Sequence, residues 1–114
     1  MSRGRRTRLT DSPEFERVYR QGRVYRGKLF SVHAFPNGLG HPRLGLSVSK
    51  RVGGAVVRNT VRRRLREVFH TSVGEGHGGM DFVISARPAA SEASFQDLKE
   101  EFERALRRLE AGGV

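Results

Sequence analysis

The chain has 114 residues, no cysteine, 36% apolar side chains, and 22 Lys+Arg against 12 Asp+Glu, a formal net charge of +10. That length fits one domain burying roughly two thirds of its unfolded surface, and the missing cysteine excludes disulfide frameworks and cysteine-built zinc sites. No apolar run approaches the ~18 residues of a membrane-spanning helix, and the basic N-terminus lacks the apolar core of a signal peptide, so a small, soluble, cytoplasmic protein without a membrane partner is expected.

Residues 1–10, MSRGRRTRLT, read as a flexible basic arm ahead of a single domain over 11–114. Asp11 or Ser12 can cap a first helix over about 12–21, with Pro13 in its first turn and Glu14 and Glu16 at its positive end. Phe15, Val18 and Tyr19 fall at i, i+3, i+4, and Gly22 reads as the stop. Val24 and Tyr25 predict a short strand. Over 28–36, Phe30, Val32 and Ala34 alternate with Ser31 and His33, which predicts a strand with one apolar and one mixed face. After a turn-rich stretch to Pro42, Leu44, Leu46 and Val48 alternate over 43–49.

Gly53-Gly54 then give way to a helical period over 55–70. Val57, Val61, Leu65 and Val68 lie within about 80° of arc, with Phe69 at the edge. Asn59, Arg63, Arg66 and His70 point the other way, with Arg62 beside them, and Arg58 and Arg64 flank the apolar stripe. Residues 74–79, GEGHGG, read as a loop, 81–86 as a short buried strand ended by Pro88, and Ser94 with Asp97 as a capping box. Phe95, Leu98, Phe102, Ala105 and Leu109 carry a last helix closed by Gly112-Gly113. The order α-β-β-β-α-β-α predicts a small single-domain α+β layer fold.

The charge is unevenly spread: residues 1–70 carry 17 basic and four acidic side chains, and residues 71–114 carry five and eight. Arginine outnumbers lysine 19 to 3, which suits forked phosphate contacts. Such a field points to a polyanion, nucleic acid before membrane. The second helix is the strong candidate surface. Ordinary solvated helices mix charge signs at i, i+4, whereas Arg58, Arg62, Arg63, Arg64 and Arg66 have one nearby acid, Glu67, and Lys50 and Arg51 stand just before the helix.

Catalytic and metal sites are not legible. A metal nuclease needs converging carboxylates, and the basic half offers Asp11, Glu14, Glu16 and Glu67, three of them on or capping the first helix. His33, His41, His70 and His77 show no HExxH or dense ligand spacing. Gly53-Gly54 lack the phosphate-loop pattern and read as a tight turn into a helix whose N-terminus is open to phosphate. Phe15 and Tyr19, taken alone, read as ordinary core.

The block 45–67, GLSVSKRVGGAVVRNTVRRRLRE, resembles the signature of the bacterial ribonuclease P protein subunit. Phe15-x-x-Val18-Tyr19-x-x-Gly22 is similar to the family's aromatic first helix, and Ala86-Arg87-Pro88 follows an acidic-led strand as in the family. Thr60 stands where the family usually has Arg or Lys. The resemblance implies an RNA-binding subunit of an endonuclease that removes the 5′ leader of precursor tRNA, with a large catalytic RNA holding the active site and the Mg²⁺. It implies that Lys50, Arg51, Arg58, Asn59, Arg62, Arg63 and Arg66 contact that RNA. It also implies that Phe15, Tyr19, Ser31 and His33 line a leader-binding cleft between the first helix and the sheet, Ser31 replacing a usually larger residue. A mixed sheet with a left-handed βαβ crossover from 43–49 to 81–86 is implied as well, where pattern alone would choose the right-handed form. The alternatives are a structural RNA-binding protein of ribosomal type and a DNA-binding regulator. A strand directly before the basic helix argues against a helix-turn-helix and hence against DNA.

Overall fold

A computed structural model describes residues 12–73 and 78–111. The expected arm over 1–10, Asp11, part of the glycine loop and Gly112-Gly113 lie outside the described residues. The elements are α1 (Ser12–Gln21), β1 (Arg23–Arg26), β2 (Phe30–Pro36), β3 (Arg43–Ser47), α2 (Ala55–Ser72), β4 (Met80–Ala86), a short 3-10 helix (Pro88–Glu92) and α3 (Phe95–Ala111). The strands form one sheet in the order β1-β2-β4-β3. β1/β2 and β2/β4 are antiparallel, and β3/β4 are parallel. α2 therefore lies within a βαβ crossover of a mixed sheet.

The alternation in β2 separates two layers. Phe30, Val32 and Ala34 face the main core with Leu44, Phe82 and Ile84, against Val61, Leu65, Val68 and Phe69 of α2 and Leu98, Phe102, Ala105 and Leu109 of α3. Phe69, Phe82 and Phe102 meet there edge-on or tilted, with ring centres 5.8–6.3 Å apart. That geometry suits the positive edge and negative face of aromatic rings. On the other side of the sheet α1 sets Val18 on Val83, with Phe15 and Phe35 packed alongside.

Local chemistry explains the ends of these elements. Gly22 closes α1 by donating its N–H to the Val18 carbonyl at 2.9 Å. Its smallness is required by crowding: a Cβ there would stand 2.7 Å from the carbonyl oxygen of Ala34 in β2. The capping box at α3 is complete, with the Asp97 N–H donating to Ser94 Oγ at 3.0 Å and the Ser94 N–H donating to Asp97 Oδ2 at 3.2 Å.

Three expectations are corrected. β3 ends at Ser47 rather than Ser49, because Ser49 Oγ accepts the Arg51 N–H and its carbonyl accepts the Val52 N–H, turning the chain out of the sheet. The apolar stripe of α2 begins at Val61: Val57 is 38% exposed and Val56 80% exposed. Val57 lies instead over Gly53, so close that a Cβ on Gly53 would come within 2.9 Å of the Val57 Cβ. The chain after β4 forms a 3-10 turn around fully buried Ala90, where the sequence reading placed only a strand stop at Pro88.

Candidate nucleic-acid interface

Two surfaces gather the residues singled out from the sequence, on different elements. The first is the outer face of α2 with the turn that precedes it. Lys50, Arg51, Asn59 and Arg63 are exposed, and Arg62 and Arg66 are half-buried. Arg62 Nη1 donates to Asn59 Oδ1 at 2.9 Å, which holds one guanidinium flat along the helix surface. The helix starts at Gly54, which offers no side-chain cap, and its first turn has no acidic residue. Its free N–H groups and positive dipole end thus lie beside Lys50 and Arg51, a field that favours anions.

Two arginines of this helix are turned back onto the fold. Arg58 Nε donates to the Gly53 carbonyl at 3.1 Å, and Arg64 Nη1 donates to the Ala93 carbonyl at 3.2 Å. Arg64 ties α2 to the segment before α3. Arg58 braces the glycine turn and retains its terminal N–H groups for a second partner.

The second surface lies between α1 and the sheet. Tyr19 is 52% exposed, and its ring stacks on His33 with centres 4.6 Å apart at 29°. Ser31 follows two residues back along β2 on the same face, half-buried. Phe15 sits one turn earlier on α1, half-buried against the Val18–Val83 pair. Tyr19, His33 and Ser31 are thus brought together at an open edge, while Phe15 fills the wedge behind them.

His33 is buried, and its Nδ1 has no hydrogen-bond partner. Burial, and then the positive charge of Arg26, hold its pKa below the ordinary 6.5, against a backbone hydrogen bond at Val83 that works in the other direction. The fold thus favours the neutral imidazole over the protonated one. In the unfolded chain the imidazole protonates as pH falls through about 6.5, while the folded one resists, so stability must decline on the acid side. Urea unfolding on either side of pH 6.5 should show that decline, and a His33→Phe variant should show a shallower one. An equal pH slope in both proteins would remove His33 as its source.

Sequence reasoning missed the polar clamp behind this surface. Asp81 Oδ1 and Oδ2 accept from Arg43 Nε and Nη2, each at 2.8 Å, and Asp81 Oδ1 also accepts from Asn37 Nδ2 at 2.7 Å. Arg43 Nη1 reaches Glu14 of α1 at 3.1 Å. Hydrogen bonding to Asp81 raises the pKa of Arg43 still further above its high ordinary value, despite burial. The clamp thus ties α1 to β3, β4 and the turn after β2. An acidic residue near the start of β4, in register with an arginine opening β3, was its only sequence trace. With its carboxylate so engaged, Asp81 is a structural residue. Among the described residues no group of three or more His, Asp or Glu side chains is placed to hold a metal ion.

Comparison with known proteins places the chain in one family. The Ribonuclease P family model matches residues 4–110. The ribonuclease P protein component of Caldanaerobacter subterraneus is 40% identical over 102 residues, covering 90% of this chain and 88% of the relative. That of Acidothermus cellulolyticus is 40% identical over 106 residues, covering 91% and 88%. Among solved structures, the Staphylococcus aureus RNase P protein superposes with a TM-score of 0.77 at 30% identity, covering 89% of this chain and 93% of that one. The Thermotoga maritima RNase P protein gives 0.74 at 28% identity, covering 91% and 96%.

Proposed function

Because the chain belongs to the ribonuclease P protein family, we propose that it acts as the protein subunit of an endoribonuclease whose RNA subunit carries the catalysis. In this reading Lys50, Arg51, Arg58, Asn59, Arg62, Arg63 and Arg66 seat the protein on the catalytic RNA. The cleft of Phe15, Tyr19, Ser31 and His33 takes the single-stranded 5′ leader of precursor tRNA. Single-stranded RNA is held by aromatic platforms flanked by basic groups, with little sequence preference, and Tyr19 on His33 beside Arg26 offers that combination. The Mg²⁺ that assists phosphodiester hydrolysis is assigned to the RNA; on the protein, the Asp81 carboxylate is engaged by Arg43 and Asn37. The site of action is the cytoplasm. No helix among the described residues is long and apolar enough to cross a membrane.

The observation that carries this reading is the one-sided arginine face of α2 in a chain of this family. Reconstitution tests it. Purified protein alone should cleave no precursor tRNA, and protein added to its catalytic RNA should restore leader removal at physiological salt. Binding to that RNA should weaken steeply with salt through counterion release, and Arg62→Ala or Arg63→Ala should each flatten the log–log slope by about one unit. Cleavage by protein free of nucleic acid would overturn the division of labour. RNA binding without any gain in cleavage would instead favour a structural RNA-binding protein of ribosomal type.

A further inference from the structure

The open edge of the α1 side of the sheet carries a row of side chains that joins Ser31 of the cleft to three residues outside the cleft set. Arg26 pairs with Ser31, Ser31 with Ser85, and Ser85 with Ser47. With the strand order β1-β2-β4-β3, these four residues line up abreast across the whole sheet. Directly paired residues share a face and residues two apart along a strand share it too, so the row lies one step along from His33. α1 covers the farther rows through Val18 and Phe15 on Val83 and Phe35. It leaves Arg26 and Ser47 exposed and Ser31 and Ser85 half-buried.

As a folding choice this row is poor. Serine has neither the branching nor the apolar surface that stabilises sheets, and the Ser85 hydroxyl is buried with no hydrogen-bond partner, which costs stability. As a surface for a ligand it is apt. Three short side chains abreast leave room for a chain to lie close against the strands. A serine hydroxyl both donates and accepts; phosphate oxygens accept, and a ribose 2′-hydroxyl does both. Ser85 can present its hydroxyl by rotating χ1 from one staggered well to another. Arg26 supplies positive charge at one end of the row, and the Tyr19 ring stands at the adjoining row over His33.

We propose that Arg26, Ser31, Ser85 and Ser47 form a shelf for the ribose–phosphate backbone of single-stranded RNA, with Ser31 and Ser85 hydrogen-bonding 2′-hydroxyls of a strand whose base stacks on Tyr19. The shelf rests on the reading of the cleft as a leader site and adds to it a basis for telling ribose from deoxyribose. Sequence spacing alone could not have assembled it, because its members come from four strands whose order is not the chain order.

The test uses the holoenzyme with precursor tRNA carrying either an all-ribose leader or the same leader in 2′-deoxyribose. The native protein should favour ribose by about three- to tenfold for each hydrogen bond formed. A Ser31→Ala/Ser85→Ala double variant should bind the ribose leader only as well as the deoxy one. Its melting temperature should hold or rise, since Ser85→Ala removes a buried unpaired hydroxyl. An undiminished ribose preference in the double variant overturns the shelf, as does a native protein indifferent to the sugar. So does a variant that melts early and loses both leaders equally, which makes the row structural. Tyr19→Ala separates the two readings. If it weakens both leaders while the serine variant changes neither, the leader site stands without the shelf. If neither variant alters preference for precursor over mature tRNA, the leader site itself falls.

Discussion

Asp81→Ala should destabilise the fold by about 3–5 kcal/mol, the usual cost of removing one partner from a buried ion pair. Both partners are deeply buried, with Arg43 and Asp81 side chains 7% and 5% exposed. Truncating Asp81 strands the guanidinium in a dry site, together with the Asn37 amide that shared its carboxylate. Glu14, the other acid on Arg43, is about a third exposed and screened by water, so it cannot take over. Against a total stability of about 5–15 kcal/mol, this is a drop in melting temperature of at least about 10 °C. Thermal and urea unfolding would measure it. The double variant Arg43→Met/Asp81→Leu tests the cause, because replacing both charges with apolar groups should recover most of the loss. A single variant within about 1 kcal/mol of the native protein would show that the clamp is not what fastens α1 to the sheet.

Tyr19→Ala has the opposite profile. Its ring is half exposed and rests on His33 rather than in either apolar cluster, so its removal should leave the melting temperature nearly unchanged. Stacking of a base on an aromatic ring is worth about 1–3 kcal/mol. The variant should lose that much affinity for precursor tRNA with a leader of several nucleotides and none for mature tRNA. Assembly with the catalytic RNA, assigned to residues 50–66, should be unaffected. Measuring stability, RNA-subunit affinity and the precursor-to-mature affinity ratio on the one variant decides it. Lower stability with an unaltered ratio would return Tyr19 to a packing role.

Much of the fold was legible because local signals and tertiary structure agree. The α1 span, the two faces of β2 and the Ser94–Asp97 cap all follow from period and capping chemistry. Legibility failed where a distant element decides. Helical period put Val57 in the core stripe, but its nearest cover is the Gly53 turn, which period does not register. Gly22 reads as a helix stop from sequence, while part of the crowding that demands its smallness comes from the carbonyl of Ala34 twelve residues later. Residue spacing favoured Tyr19 as core; only the resemblance placed it in a cleft, and its exposure on the His33 ring agrees with an accessible position. The Arg43–Asp81 clamp needed the β3/β4 register, 38 residues apart in the chain, to become visible.

The central place of β4 governs the order in which the molecule can be assembled. β2 and β3 have no ladder with each other; each pairs with β4, which is synthesised after both and after the whole of α2. Until residues 80–86 leave the ribosome, the nascent chain can close the β1/β2 hairpin, but it must hold two sheet edges open. Such edges invite wrong pairing. Insertion of one late strand then completes the buried ion pair and the floor beneath Tyr19 together, and sets Phe82 in place for Phe102 of the still later α3. The step depends on long-range contacts, which are slow to form. Half-made protein therefore displays an arginine-rich segment with no cleft beside it, and a truncation before Met80 should yield a polycation rather than a smaller version of the same domain.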